Sequence, residues 1–106
     1  MPKYLIQANY VGEGVKGLLK DGGTSRRAAV EKLFQSQGGS MESFYYAFGE
    51  TDCYVIGELP DNASMAAVAL AIGASGVVTV KTTVLLTPEE IDEAAKKTPS
   101  YRPPGK

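Results

Sequence analysis

Six polar or charged side chains of this sequence are candidates for binding a small ligand. An amide and a phenol end the first strand pattern, an arginine opens a helix pattern, and a second phenol, a carboxylate and a lysine come from later strand patterns. Such groups can position a small molecule without a cofactor. The six ligand-binding candidates are Asn9, Tyr10, Arg26, Tyr46, Asp52 and Lys81.

Arg26 and Arg27 occupy the first turn of a predicted helix. The helix dipole disfavours a cation there by about 0.3 to 1 kcal/mol, so the choice of arginine invites an explanation. Two interpretations of Arg26 remain open. Its planar guanidinium binds an anionic ligand group or pairs with Asp52, or it forms an exposed salt bridge. For Arg27 we expect an exposed salt bridge with Asp21 or Glu31.

The remaining candidates also have structural interpretations. Asp52 could serve as a base if it is buried, but a residue at this position more often caps the turn through its own backbone. Lys81 could have a lowered pKa inside a barrel, or it protects an edge strand as a solvated charge. The aromatic residues Phe44, Tyr46 and Phe48 are typical of a core or an interface.

Several kinds of catalytic and metal site are excluded by composition. The chain has no histidine and one cysteine, which excludes Ser-His-Asp and Cys-His catalysis and the usual ligands of structural zinc. Cys53 lies inside a strand pattern, which predicts a packed thiol. We therefore expect no metal and no cofactor.

The segment Gly12–Gly17 contains a literal GxGxxG motif directly after a strand pattern. Dinucleotide binding requires a helix that opens from the third glycine, followed by a parallel strand. Because Asp21-Gly22-Gly23 should break such a helix within one turn, we interpret the motif as a loop that could serve as a lid.

Charge and length limit the partners of the chain. At 106 residues it is one domain, its formal net charge is -1, and no run of lysine or arginine exceeds a pair. The beginning of the chain lacks an apolar leader. These features predict a cytoplasmic protein that binds neither nucleic acid nor membrane.

Alternation and turn signals predict the elements that must position the six candidates. The glycine-rich segment 12–23 is expected to be a loop with one helical turn. Thr24-Ser25 should cap the first helix and Gly38-Gly39 should end it. A strand at 4–10 precedes that loop. After the first helix, strands at 44–48 and 53–59 form a hairpin joined by the four-residue turn Gly49–Asp52. A second helix, opened by Pro60-Asp61-Asn62 and ended by Gly73 and Gly76, is followed by a strand at 77–86 and a helix capped at Thr87.

This order predicts an α+β fold of ferredoxin-like βαββαβ type, with an antiparallel sheet in the order 4-1-3-2 and an added C-terminal helix. Residues 1–97 form the domain, and residues 98–106, with three prolines, form a flexible tail. Both main helices cover one sheet face. The other face mixes apolar and polar residues, which favours a homodimer or a higher oligomer.

The sequence resembles the GYD-domain family over about residues 1–97. The resemblance is carried by Tyr10-Val11-Gly12-Glu13-Gly14, Ser25-Arg26, Gly38-Gly39, Phe48-Gly49-Glu50-Thr51-Asp52, Leu59-Pro60-Asp61, Thr82-Thr83 and Thr87-Pro88-Glu89-Glu90. Thr51 stands where the family's Gly-x-Tyr-Asp turn has tyrosine. The resemblance implies a dimeric α+β barrel of two ferredoxin-like subunits joined sheet to sheet.

Two classes of function are consistent with these features. The first is a homodimeric small-molecule-binding protein or cofactor-free enzyme, whose pocket beside the sheet takes a small anionic or aromatic ligand. The alternative is a non-catalytic assembly or interaction module, which the uncharged helix at 62–74 and the uncovered sheet face favour.

Overall fold

Four strands and four helices make up the chain, and the computed structural model describes all of residues 1–106. The elements are β1 (Lys3–Tyr10), α1 (Gly12–Asp21), α2 (Gly23–Ser36), β2 (Ser40–Tyr46), β3 (Cys53–Glu58), α3 (Asn62–Ala74), β4 (Val78–Leu85) and α4 (Pro88–Lys96). Apart from α1, this is the predicted βαββαβ order with a C-terminal helix.

The sheet has the strand order β2-β3-β1-β4, and every neighbouring pair is antiparallel. This confirms the predicted ferredoxin-like α+β fold and its strand order. Leu5 of β1 lies opposite Ile56 of β3 and Thr83 of β4. Alternate residues therefore form a face without helices, here called the open face. Its members on the three strands β1, β3 and β4 are Lys3, Leu5, Gln7, Asn9, Tyr54, Ile56, Glu58, Thr79, Lys81, Thr83 and Leu85.

The core lies between the other sheet face and the helices α2 and α3. Its buried members are Tyr4, Ile6, Ala8, Phe34, Cys53, Val55, Leu59, Met65, Val68 and Val78. Gly57 is part of this packing, because a Cβ atom there would lie 2.4 Å from the Phe34 ring. The Tyr4 hydroxyl donates a hydrogen bond to Asn62 Oδ1 over 2.6 Å, which ties the sheet to the start of α3.

The predicted loop at 12–23 is wrong, because residues Gly12–Asp21 form the helix α1. Tertiary contact compensates for the low helix propensity of its glycines. The Val11 amide donates to the Val77 carbonyl oxygen over 3.0 Å, and a Cβ atom at Gly14 would lie 2.2 Å from that oxygen. The helix ends where Gly22 adopts a φ of 84°, a conformation that favours glycine.

The predicted start of α2 is also wrong. The helix begins at Gly23, its N-cap is Gly22, and no side chain caps it, so Thr24 and Ser25 lie inside its first turn. Arg26 remains in the first turn, where its amide donates to the Gly22 carbonyl oxygen over 3.3 Å.

The central turn between β2 and β3 is longer than predicted. The strands end and begin at Tyr46 and Cys53, and the Ala47 amide donates to the Asp52 carbonyl oxygen over 2.9 Å. Phe48 therefore leaves the strand and is fully exposed, so of the two predicted positions, core or interface, the core is wrong for this residue and the interface stays a prediction. The Phe44 and Tyr46 rings pack edge to face with centroids 5.2 Å apart.

The helix α3 starts as predicted, with the Asp61 carboxylate accepting a hydrogen bond from the Ser64 amide over 2.8 Å. Its Met65 and Val68 side chains are buried, whereas Leu70 is 73% exposed. One chain therefore covers α3 on the side of Met65 and Val68 and leaves the apolar side chain of Leu70 exposed.

The helix α4 has the predicted capping box. Thr87 Oγ1 accepts from the Glu90 amide over 3.1 Å, and Glu90 Oε1 accepts from the Thr87 amide over 3.0 Å. No side chain of α4 is buried. The radius of gyration of 17.0 Å exceeds the value of about 13 Å expected for a compact chain of this length, consistent with a C-terminal part that lies away from the core.

None of the four helices has the length and apolar character that a membrane span requires.

Candidate functional site

A cavity of about 460 Å³ lies between α1, α2, α3 and the adjoining ends of β1 and β4. We call it the helix-side cavity. Nine of its fifteen lining residues are hydrophobic, which is typical of sites for small organic ligands. Each surrounding element contributes to its wall, which includes Tyr10, Glu13, Leu18, Arg26, Val30 and Ile72.

The position of α1 creates this cavity. Gly14 is buried against Val77, where a side chain would push the helix away from the sheet. Gly17 also lines the cavity, and a Cβ atom there would have no neighbour within 4 Å. The glycines of α1 thus serve two different purposes, since one permits close packing and the other leaves space open.

A second, smaller space of about 40 Å³, here called the inner pocket, lies between the cavity and the core. It shares lining residues with the helix-side cavity and is otherwise lined by core residues such as Ile6 and Val55. The shared residues are Tyr10, Arg26, Val30, Ile72 and Val78. Arg26 therefore lies at the junction of the two spaces and is only partly exposed.

Two of the six predicted site residues, Tyr10 and Arg26, line this junction, and a third, Tyr46, lies near them without lining either space. The Tyr46 hydroxyl donates to the Gly23 carbonyl oxygen over 3.1 Å, which holds β2 against the start of α2. Partial burial and the neighbouring Tyr10 phenol raise the pKa of Tyr46 to about 12, while the positive charge of Arg26 acts in the opposite direction. Tyr46 is therefore a neutral hydrogen-bond donor at physiological pH.

The guanidinium of Arg26 has no carboxylate partner within the chain. The three salt bridges are Lys3–Glu42, Lys16–Glu13 and Lys97–Glu93. Pairing of Arg26 with Asp52 is therefore wrong, as is the expected salt bridge of Arg27 with Asp21 or Glu31. Of the two interpretations of Arg26, the one that leaves the guanidinium free for an anionic group agrees with this geometry.

Asn9 and Asp52 lie apart from the cavity and connect β1 to the central turn. The Asp52 amide donates to Asn9 Oδ1 over 2.9 Å, and Asp52 Oδ2 accepts from the Tyr10 amide over 3.0 Å. The interpretation of Asp52 as a cap of its own turn is thus wrong in detail, because its carboxylate binds the backbone of β1. Both side chains have hydrogen-bond partners that account for them structurally.

Lys81 lies on the open face of the edge strand β4, opposite Gln7, and is exposed. It has no salt-bridge partner. Its place agrees with a solvated charge on an edge strand, and it is on the opposite side of the sheet from the helix-side cavity.

Cys53 is 2% exposed, and burial together with the nearby Asp52 carboxylate raises the pKa of its thiol to about 11. This confirms the prediction of a packed thiol, since a nucleophilic cysteine requires a lowered pKa and access to solvent. No group of three or more Cys, Asp or Glu residues is arranged to hold a metal ion.

The GxGxxG motif does not form a dinucleotide-binding unit. The helix α1 begins at Gly12, the first glycine of the motif, and β1 pairs only with antiparallel strands. A dinucleotide site instead requires a parallel strand beside the first one and a helix that opens from the third glycine.

Sequence patterns did not indicate the parts of the cavity wall that come from α1 and α3, including Leu18 and Ile72. The absence of charged residues from α3 was the available signal. It was interpreted as a sign of assembly, although one side of the helix lines the cavity.

The fold and this cavity define a small α+β protein with a ferredoxin-like sheet and one partly apolar site under its helices. Residues 4–95 match the family model of the GYD domain, from the first strand to the last helix. The chain therefore belongs to the GYD-domain family. Comparison with curated proteins and with solved structures gave no match.

Proposed function

We propose that this protein is a homodimer that binds a small anionic or aromatic molecule in the helix-side cavity. The observation that carries the proposal is an arginine without a carboxylate partner, Arg26, in the wall of a cavity of about 460 Å³. A partly buried cation is costly unless a partner compensates for its lost hydration. A bound anion supplies that partner.

Binding is supported better than any particular reaction. The cavity wall contains the carboxylates of Glu13 and Asp21 and the phenol of Tyr10, but neither carboxylate is held in a buried position. A catalytic acid or base is normally held in place by burial and by specific partners, so these exposed carboxylates support no particular reaction.

The test of binding is a screen of small carboxylates and phenols by thermal shift, followed by amide chemical shifts of the full chain. Binders should perturb the amides of Val30, Ile72 and Val78. Arg26→Ala should abolish stabilisation by the anionic binders, whereas Lys81→Ala on the open face should leave it unchanged. Binders that instead perturb the open face, or a screen without any binder, would contradict the proposal.

The proposed dimer uses the open face of the sheet. Leu5, Ile56 and Leu85 are only partly covered there and lie on neighbouring strands. A sheet face that carries partly exposed apolar residues among polar ones, with no helix over it, gains stability when a second copy covers those apolar residues.

Leu5→Glu tests this arrangement, with Val84→Glu as its matched control. Val84 lies on the other sheet face and is 53% exposed, so a charge is tolerated there. Sedimentation velocity should show a dimer for the natural sequence and for Val84→Glu, and a monomer for Leu5→Glu. A dimer that survives Leu5→Glu would exclude the open face as the interface.

One observation favours assembly as the alternative function. Leu70 is 73% exposed on α3, a helix without any charged residue. If assembly is the function, Leu70→Glu should reduce the oligomer size in the same experiment, and the ligand screen should give no binder.

A further inference from the structure

We infer that the ligand of the helix-side cavity carries one carboxylate on a compact apolar body. The inference rests on the proposed function and narrows it from small anionic or aromatic molecules to a single chemical class. Three observations support it: the position of the Arg26 guanidinium, the charged residues around it, and the apolar residues in the rest of the cavity wall.

The cation lies at the inner end of the cavity. Arg26 lines both the helix-side cavity and the inner pocket, and the inner pocket adjoins the core residues Ile6 and Val55. A ligand that pairs with Arg26 therefore places its anionic group at this junction, beside apolar lining residues. Part of the hydration of the anion is lost there, so a geometrically matched partner is needed.

A carboxylate provides that match. The guanidinium offers parallel N–H donors in a fixed plane, and a carboxylate accepts two of them at once. Tyr10 is the other polar side chain that the cavity and the inner pocket share. The Tyr46 hydroxyl, by contrast, already donates to the Gly23 carbonyl oxygen. The junction is thus suited to one planar anionic group.

The surrounding charges favour a single negative charge on the ligand. Glu13 and Asp21 also line the cavity, and Arg26 is the only cationic residue of its wall. Glu13 is paired with Lys16 at 3.2 Å, whereas Asp21 has no salt bridge. Asp21, which has no salt bridge, would repel a dianion such as a phosphate monoester more strongly than a monoanion, and one cation would not offset both charges of the dianion.

The body of the ligand must be apolar and small. Leu18, Val30, Leu33 and Ile72 line the cavity together with Arg26, and the cavity volume of about 460 Å³ lies in the lower part of the range for organic ligands. Burial of an aromatic ring or a short branched chain against these side chains supplies the non-polar part of the binding energy.

Three probes of similar shape test how the number of negative charges on the ligand affects its affinity. Benzoate carries one negative charge, benzyl alcohol carries none, and phenyl phosphate carries two at about pH 8. Titration calorimetry of the full-length protein should give the tightest binding for benzoate. Arg26→Ala should weaken benzoate about tenfold or more and leave benzyl alcohol nearly unchanged.

Two further variants serve as controls. Arg27→Ala removes the neighbouring exposed arginine, which does not line the helix-side cavity, and should bind benzoate like the natural sequence. Arg26→Lys keeps the charge without the planar fork and should retain only part of the affinity. Thermal unfolding of each variant establishes that it is folded before it is titrated.

The other outcomes contradict the inference in distinguishable ways. Equal affinity for benzyl alcohol and benzoate overturns the need for a charge, although the cavity then still binds small molecules. Tighter binding of phenyl phosphate overturns the preference for a single charge. If none of the three binds, the inferred class is wrong, and the broader screen described above decides separately whether the cavity binds any ligand.

Discussion

The helices α1 and α4 form under opposite conditions. The first contains Gly12, Gly14 and Gly17 and has no side-chain cap, yet it lies against the sheet and forms the wall of a cavity. The second has a complete capping box and proline at its first turn, yet none of its side chains is buried. One helix depends on tertiary packing and the other on local interactions.

This difference shows that a strong local signal and a role in the folded core are independent properties. Glycine in a helix interior costs about 0.5 to 1 kcal/mol relative to alanine, and α1 contains several. Its contact at Val77 offsets this cost, as tertiary packing commonly does for short helices. In α4 the cap and the favourable charges at its first turn are sufficient without packing.

The largest expected effect follows from the packing of α1. Gly14→Ala places a Cβ atom 2.2 Å from the Val77 carbonyl oxygen, so the helix must move away from the sheet. We expect a loss of about 1 to 3 kcal/mol in the free energy of unfolding, measured by urea denaturation. Unchanged stability would show that α1 is not held by this contact.

Gly17→Ala is the matched substitution within the same helix and should have a smaller effect of opposite sign. A Cβ atom at Gly17 has no neighbour within 4 Å, so only the helix propensity changes. The gain should be about 0.5 to 1 kcal/mol, seen in urea denaturation and in slower hydrogen exchange of the α1 amides. A loss of stability here would mean that the space beside Gly17 is needed for the fold.

The difference between local signals and tertiary packing also explains which parts of the structure the sequence predicted. Alternation and capping residues predicted all four strands, α3 and α4, because their signals are local. The close approach of Gly14 to Val77 joins residues far apart in sequence, so the glycine-rich segment looked like a loop. For the candidate site, residue type and position were enough to select Tyr10, Arg26 and Tyr46. The hydrogen bond between the Asp52 amide and Asn9 could not be predicted, because it depends on the register of β1 against β3.

A cap on a packed helix should affect the whole fold, and Asp61 tests this on α3. Hydrogen bonds from the Ser64 amide and hydroxyl lower the pKa of the Asp61 carboxyl below 3.8. Because this pKa is lower in the folded state, the stabilisation is complete above the unfolded pKa and is lost as the pH falls through the folded value.

Asp61→Asn keeps a capping side chain that does not titrate in this range. The thermal midpoint of the natural sequence should therefore fall more steeply than that of Asp61→Asn when the pH is lowered from about 5 to about 2. Parallel curves for the two proteins would show that the cap does not contribute to global stability.

The smallest effect on the whole fold is expected from the cap of α4, although its local effect is large. Thr87→Ala removes the hydroxyl oxygen that accepts from the Glu90 amide but keeps the backbone amide that donates to Glu90 Oε1, and the loss should cost α4 about 1 kcal/mol of helix stability. Hydrogen exchange of the α4 amides should become faster, while the thermal midpoint of the domain stays unchanged, because no α4 side chain is buried in the chain. A lowered midpoint that depends on protein concentration would instead mean that α4 packs against a second copy. In that case α4, like α1, would depend on tertiary contact, supplied by a different molecule.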